Sequence, residues 1–156
     1  MVNSTILIEI GAISGEFQLF KTNKLSEPHR RTRSDHASET AEDYVEAIAE
    51  IVGSSGKCRI VDLSRRFAVS HVTVNRIVQR LEKAGLVSTR PYQPVELTAQ
   101  GRRLAKKCRE RHEVVFRFLL AIGVDEATAA IDAEGIEHHV SPETLKRFRE
   151  FVQQQQ

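Results

Sequence analysis

The chain has 156 residues, 40% of them hydrophobic and 28% charged, a balance ordinary for a soluble globular protein with one core or two small packed ones. No apolar run is long enough to span a membrane, and the start lacks the basic leader and cleavage site of a signal peptide. The net charge of +2 hides a segregation: residues 1–58 carry −3, residues 59–111 carry +9 and residues 112–156 carry −4, so the middle third favours a polyanion partner.

Residues 1–36 are polar after an opening apolar patch and end in the cluster His29-Arg30-Arg31-Thr32-Arg33, which reads as a flexible extension. Ser38 is a suitable N-cap for a helix with Ala41, Tyr44, Val45, Ile48 and Ile51 at helical spacing, closed by Gly53. Arg59–Phe67 places Ile60, Leu63 and Phe67 on one face of a second helix. Ser70 caps a third, with Val74, Ile77, Val78 and Leu81 on its back and Gly85 as its stop. Leu86–Thr89 and Val95–Thr98 read as two short strands joined by a turn containing Pro91 and Pro94. Thr98 opens a long helix ending at Gly123, Asp125 caps another to about Val140, and Ser141-Pro142 starts the last, before a frayed tail over Gln153–Gln156. Cys58 and Cys108 have no partner at metal-binding spacing and read as reduced thiols in a cytoplasmic protein.

Two short helices, a tight connection, a third helix and a hairpin make a winged helix-turn-helix. The expected fold is mainly α, with the winged-helix DNA-binding domain over residues 37–98 and an all-helical dimerisation domain over residues 99–156. The polar front of the third helix carries Ser70, His71, Thr73, Asn75, Arg76, Gln79 and Arg80. Ser70, Thr73 and the backbone N–H groups at the helix start suit a phosphate. Asn75 and Arg76 suit base edges in a major groove. Arg90 and Tyr92 on the wing suit the DNA backbone or minor groove.

Six further side chains carry oxygen and nitrogen donors in three clusters. Asp43 and Glu46 are three apart on the first helix, His112 is on the long helix, and Glu134, Glu137 and His138 follow one another at i, i+3, i+4. Four carboxylates and two imidazoles form a hard ligand set that favours Mn²⁺ or Fe²⁺, as one octahedral ion or a bridged pair. His139 and Glu113 point away from these faces and are left out.

From Glu42 to about Phe151 the chain resembles the diphtheria toxin repressor family of metalloregulators, in its manganese transport regulator branch. The stretches that carry the likeness are Glu42-Asp43-Tyr44-Val45-Glu46, Arg111-His112-Glu113, Phe118–Val124 and Asp132-Ala133-Glu134-Gly135-Ile136-Glu137-His138-His139-Val140-Ser141. The resemblance implies that Asp43, Glu46, His112, Glu134, Glu137 and His138 ligate the sensing ions, up to two per subunit. Iron-responsive members carry methionine at the position of Asp43 and cysteine at that of Glu137, so it also implies Mn²⁺ ahead of Fe²⁺. It implies a homodimer joined through the C-terminal helices, and Ile131, Ile136, Val140, Leu145, Phe148 and Phe151 offer apolar surface for one. The expected function is a manganese-dependent repressor of manganese uptake genes, bound as a dimer to palindromic double-stranded operator DNA. It is expected to be no enzyme and to need neither a membrane nor an organic cofactor. The rival readings are a winged-helix regulator indifferent to metal, an iron-responsive repressor of the same family, and a di-metal enzyme. The last lacks a spare nucleophile or a phosphate loop.

Overall fold

A computed structural model describes residues 38–155, and the extension expected over residues 1–36 lies outside them. Helix α1 covers residues 38–55 and buries Tyr44, Val45, Ala47 and Ile48. Both of its expected ends need correction. Ser38 is already helical and so does not cap, and the helix runs through Gly53, because one interior glycine costs only about 1 kcal/mol. The stop is Gly56, whose φ of +79° takes the chain out of the helix while its N–H still reaches the Val52 carbonyl at 2.9 Å.

Helix α2, Ile60–Phe67, starts where the Arg59 N–H is taken by the Asp62 carboxylate at 2.8 Å. It buries Leu63 and stacks Phe67 on Tyr44 of α1, ring centres 4.2 Å apart. The tight connection bends at Ala68, left-handed at φ +52°, and the Ser64 hydroxyl secures it by donating to the Val69 carbonyl at 2.6 Å. Helix α3, His71–Lys83, is capped by Ser70 Oγ, which accepts the Thr73 N–H at 3.2 Å. Its back, Val74, Val78 and Leu81, is buried against α1 and α2, and that burial turns its polar side outward.

The wing is shorter than expected. Strand β1, Val87–Ser88, pairs antiparallel with β2, Glu96–Leu97, in the register Val87 opposite Leu97 and Ser88 opposite Glu96. Val95 makes a further bridge to Cys58, tying the hairpin to the segment before α2. Thr98 donates its backbone N–H to the Leu86 carbonyl at 3.0 Å while its side chain caps α4, Ala99–Ala121: its Oγ1 accepts the Gly101 N–H at 3.0 Å and donates to the Gly85 carbonyl at 2.6 Å.

Gly101 sits where α4 presses on the wing. A β-carbon there would lie 2.0 Å from the Leu86 carbonyl oxygen. Gly101→Ala should therefore force the first turn of α4 off the hairpin and destabilise the protein by about 2–3 kcal/mol, the range of overpacking in a close contact, readable in a urea titration.

Helix α5, Glu126–Ile136, is capped by Asp125, whose Oδ1 accepts the Thr128 N–H at 3.1 Å. It ends four residues before Val140, so Glu137 is its C-cap and His138 and His139 lie in a turn. Helix α6, Pro142–Gln154, follows the Ser141 cap and continues into the glutamines expected to fray. Helix α4 packs against both α5 and α6. The second core gathers Val115, Leu119, Ala129 and Ala133 with Val140, Leu145 and Phe148 around it, and Phe118 stacks on Phe148 at 3.8 Å between ring centres.

Much of the apolar surface assigned to a dimer contact is thus used within the chain. Val140, Leu145 and Phe148 pack on the second core, and Phe151 meets Phe118 edge-on. Ile131 and Ile136 stay exposed, joined by Ile122 and Leu120. Among the described residues no helix is long and apolar enough to cross a membrane. Cys58 and Cys108 are both free and buried, and burial pushes their thiols up to about 11 and about 12.

Candidate metal centre and nucleic-acid interface

The three donor clusters converge. Asp43, Glu46, His112, Glu134 and His138 line one cleft of about 580 Å³ between α1, α4 and the end of α5. Glu137, 2% exposed, lies beside them. Helical spacing on α1 sends Asp43 and Glu46 to the same side, while Val45 and Ile48 anchor the opposite side in the core. His112 is placed by the long register of α4. Glu137 keeps helical backbone angles as the α5 C-cap, and the turn after it carries His138 across to α1.

The contacts form a chain through the donors. His112 Nδ1 is 2.7 Å from Glu137 Oε2 and 3.9 Å from Glu134 Oε1. His138 Nε2 is 3.1 Å from Asp43 Oδ1 and 3.8 Å from Glu137 Oε1. Glu46 shares the field of Glu137, Glu50 and Glu134, partly offset by His112.

Electrostatics show what this arrangement lacks. Burial, then the negative charge of Glu137, Glu50 and Glu134, pushes Glu46 up to about 7. Burial raises Asp43 as well, opposed by His138 and reinforced by Glu134, Glu39 and Glu42. It also raises Glu137 despite His112, His138 and Arg111. Carboxylates gathered this way are short of positive charge.

Among the described residues no group of three or more His, Cys, Asp or Glu is already arranged around a metal position; the donors pair with one another at hydrogen-bond lengths. The donor set nevertheless fits a hard divalent cation. It offers four carboxylates and two imidazoles without sulfur, and three of its carboxylates are held above their ordinary values.

Sequence reasoning missed several residues here. Glu39, Glu50 and His139 also line the cleft, and His139, set aside for its helical direction, meets Glu39 at 3.1 Å because α5 has already ended. Glu42 and Arg111 pair at 2.6 Å, nearly buried. Burial raises the Glu42 carboxyl, yet Arg111 and His138 outweigh it and hold Glu42 below the usual range. A charged residue directly before His112 was the available signal for Arg111. Glu113, also set aside, is exposed and pairs with Arg117.

Ser70, His71, Thr73, Asn75, Arg76 and Arg80 are all exposed, as are Arg90 and Tyr92 on the wing. His71, Asn75, Gln79, Arg90 and Tyr92 line a groove of about 560 Å³ between α3 and the turn of the hairpin. Tyr92, left-handed at φ +64°, is fully exposed at the wing tip. Val72 is 61% exposed beside His71 on the same helix.

Residues 36–95 match the iron-dependent repressor N-terminal DNA-binding domain, and residues 98–156 match the iron-dependent repressor metal-binding and dimerisation domain. The transcriptional regulator MntR of Escherichia coli O6:H1 is 44% identical over 136 residues, 87% of this chain and 88% of that protein. The HTH-type transcriptional regulator MntR of Bacillus subtilis is 37% identical over 112 residues, 72% of this chain and 79% of that one. Among solved structures, a manganese-dependent transcriptional repressor in complex with manganese superposes with a TM-score of 0.66 at 30% identity, over 72% of this chain and 52% of that one. The manganese regulator SloR does so with a TM-score of 0.64 at 26% identity, over 72% and 53%. This chain spans about half the length of those two solved chains. With both domain matches in sequence order and relatives aligned over most of its length, the chain belongs to the iron-dependent repressor family of transcriptional regulators.

Proposed function

We propose that this protein is a manganese-dependent transcriptional repressor that binds palindromic operator DNA as a homodimer and controls manganese uptake genes. The observation that carries the reading is the convergence of Asp43 and Glu46 from the DNA-binding half with His112, Glu134, Glu137 and His138 from the dimerisation half in one cleft. Mn²⁺ supplies the positive charge that this donor set lacks. Asp43, Glu46, His112, Glu134, Glu137 and His138 are the ligands, all of them oxygen or nitrogen, as a manganese sensor requires.

Without the cation, side-chain pairs such as Glu42–Arg111 and His138–Asp43 tie α1 to the dimerisation half against the repulsion of the crowded carboxylates. With Asp43 and Glu46 drawn to Glu134, Glu137 and His138, α1 is fixed to the dimerisation half. The two α3 helices of the dimer then hold the separation that two half-sites require. Ser70, His71, Thr73, Asn75, Arg76, Arg80, Arg90 and Tyr92 are the DNA contacts. Fewer conformations are lost on binding, so affinity rises. The exposed Ile122, Ile131 and Ile136 belong to the subunit contact.

Fluorescence anisotropy on DNA from manganese-transporter promoters tests this. Mn²⁺ should tighten binding about 5- to 150-fold over chelator, the usual range of coupling between two sites. Equal affinity in both conditions would contradict the reading.

A further inference from the structure

Glu42 stands one residue before Asp43 on α1 and faces inward. Its Oε2 accepts from Arg111 Nη2 at 2.6 Å and lies 3.0 Å from His138 Nδ1. Arg111, 12% exposed on α4, also approaches Glu137 Oε1 at 3.6 Å. We propose that Glu42, clamped by Arg111, is the positioning residue for His138: it accepts the Nδ1–H and holds the ring with Nε2 turned toward Asp43 and the cleft.

The inference rests on the metal-sensing reading, and its chemistry follows from the contacts. An ionised carboxylate only accepts, so the 3.0 Å bond to Glu42 places a hydrogen on Nδ1. Arg111 Nη2 also lies 3.4 Å from Nδ1 but has nothing to accept with, so Glu42 is the acceptor at that nitrogen. Nε2 is left 3.1 Å from Asp43 Oδ1, the correct end of the ring for a ligand. The need for a clamp is plain: His138 sits in the turn after α5, where no helical backbone fixes its direction. Arg111 is placed there at a cost, for its Nε is buried without a hydrogen-bond partner, which favours a guanidinium kept for orientation over one kept for stability. An outer carboxylate on a ligating histidine both fixes the ring and strengthens it as a donor, and losing one typically weakens metal affinity 10- to 100-fold.

The test compares wild type, Glu42→Ala and Glu42→Gln. In metal-free protein, ¹⁵N imidazole NMR should find a hydrogen-bonded Nδ1–H on His138 in wild type, lose that hydrogen bond in Glu42→Ala, and find it again in Glu42→Gln, which keeps an acceptor oxygen. Electron paramagnetic resonance of free Mn²⁺ should show affinity about 10- to 100-fold weaker in Glu42→Ala, with most of it restored in Glu42→Gln. If Glu42→Ala does not fold by circular dichroism, Glu42→Met, which refills the volume, replaces it. An Nδ1–H signal unchanged in Glu42→Ala, or affinity within two-fold of wild type, overturns the proposal. Failure of wild type itself to bind Mn²⁺ would instead sink the metal-sensing reading, while the metal-free Nδ1–H measurement still decides the role of Glu42.

Discussion

Glu46→Gln should make the metal-free protein more stable at pH 8 while weakening Mn²⁺ binding by at least about 100-fold, the upper end of what loss of even an outer partner of a ligand costs. The stability gain follows from a carboxylate raised from 4.5 to about 7 by burial and by Glu137, Glu50 and Glu134. A carboxylate raised on folding stabilises the folded state below its unfolded value, and that contribution is lost as pH climbs through the folded value. Metal-free wild type should therefore lose stability between about pH 4.5 and pH 8, and the variant should show a flatter profile. Glu46 is half-buried, so water screens much of the effect and the gain is on the order of 1 kcal/mol. In wild type the same proton competes with the cation, so apparent Mn²⁺ affinity should climb through pH 7. Thermal melts and Mn²⁺ titrations at pH 6, 7 and 8 check all three points. A carboxylate present only for stability would give the opposite sign in the metal-free melt.

Glu134→Ala combined with His138→Ala should abolish the response of DNA binding to Mn²⁺, reducing a ratio of about 5 to 150 to one. Metal-free DNA affinity and its dependence on salt should remain, because α3 and the wing are untouched and phosphate contacts set that dependence. Neither residue belongs to the buried second core: Glu134 is 72% exposed at its side chain, and His138 lies in a turn. The variant should fold, so a lost response reads as lost coupling. Anisotropy with and without Mn²⁺, at two salt concentrations, measures both.

Most helix starts, in both halves, and the buried face of α3 were legible because their signals are local. Ser70, Thr98, Asp125 and Ser141 are each hydroxyl or carboxylate caps that accept an N–H three residues on. Val74, Val78 and Leu81 mark a buried face by spacing alone. The failures lie where tertiary contacts decide. Gly53 resembles Gly56 in sequence, yet only the latter takes the left-handed conformation. Nothing in Glu137-His138-His139-Val140 forbids a helix, so the end of α5 was invisible until Glu137 was seen held by His112 and His138 turned toward α1.

The donors of the candidate centre were readable as hard ligands at helical spacings, but what supports them was not. Glu42 and Arg111 are 69 positions apart, and no periodicity relates a carboxylate on α1 to a guanidinium on α4. His139 lies beyond the end of α5, so the helical direction assigned to it from the sequence does not apply.

The central claim is that carboxylates of α1 and side chains from the end of α5 hold one cation centre between them. Anomalous diffraction at the manganese edge, from crystals grown with Mn²⁺, reads this directly. The account predicts a peak within about 2–2.5 Å of an oxygen of Asp43 or Glu46 and, at the same centre, of an atom of Glu134, Glu137 or His138. A peak held by α4 and α5 alone, with Asp43 and Glu46 out of reach, would contradict it.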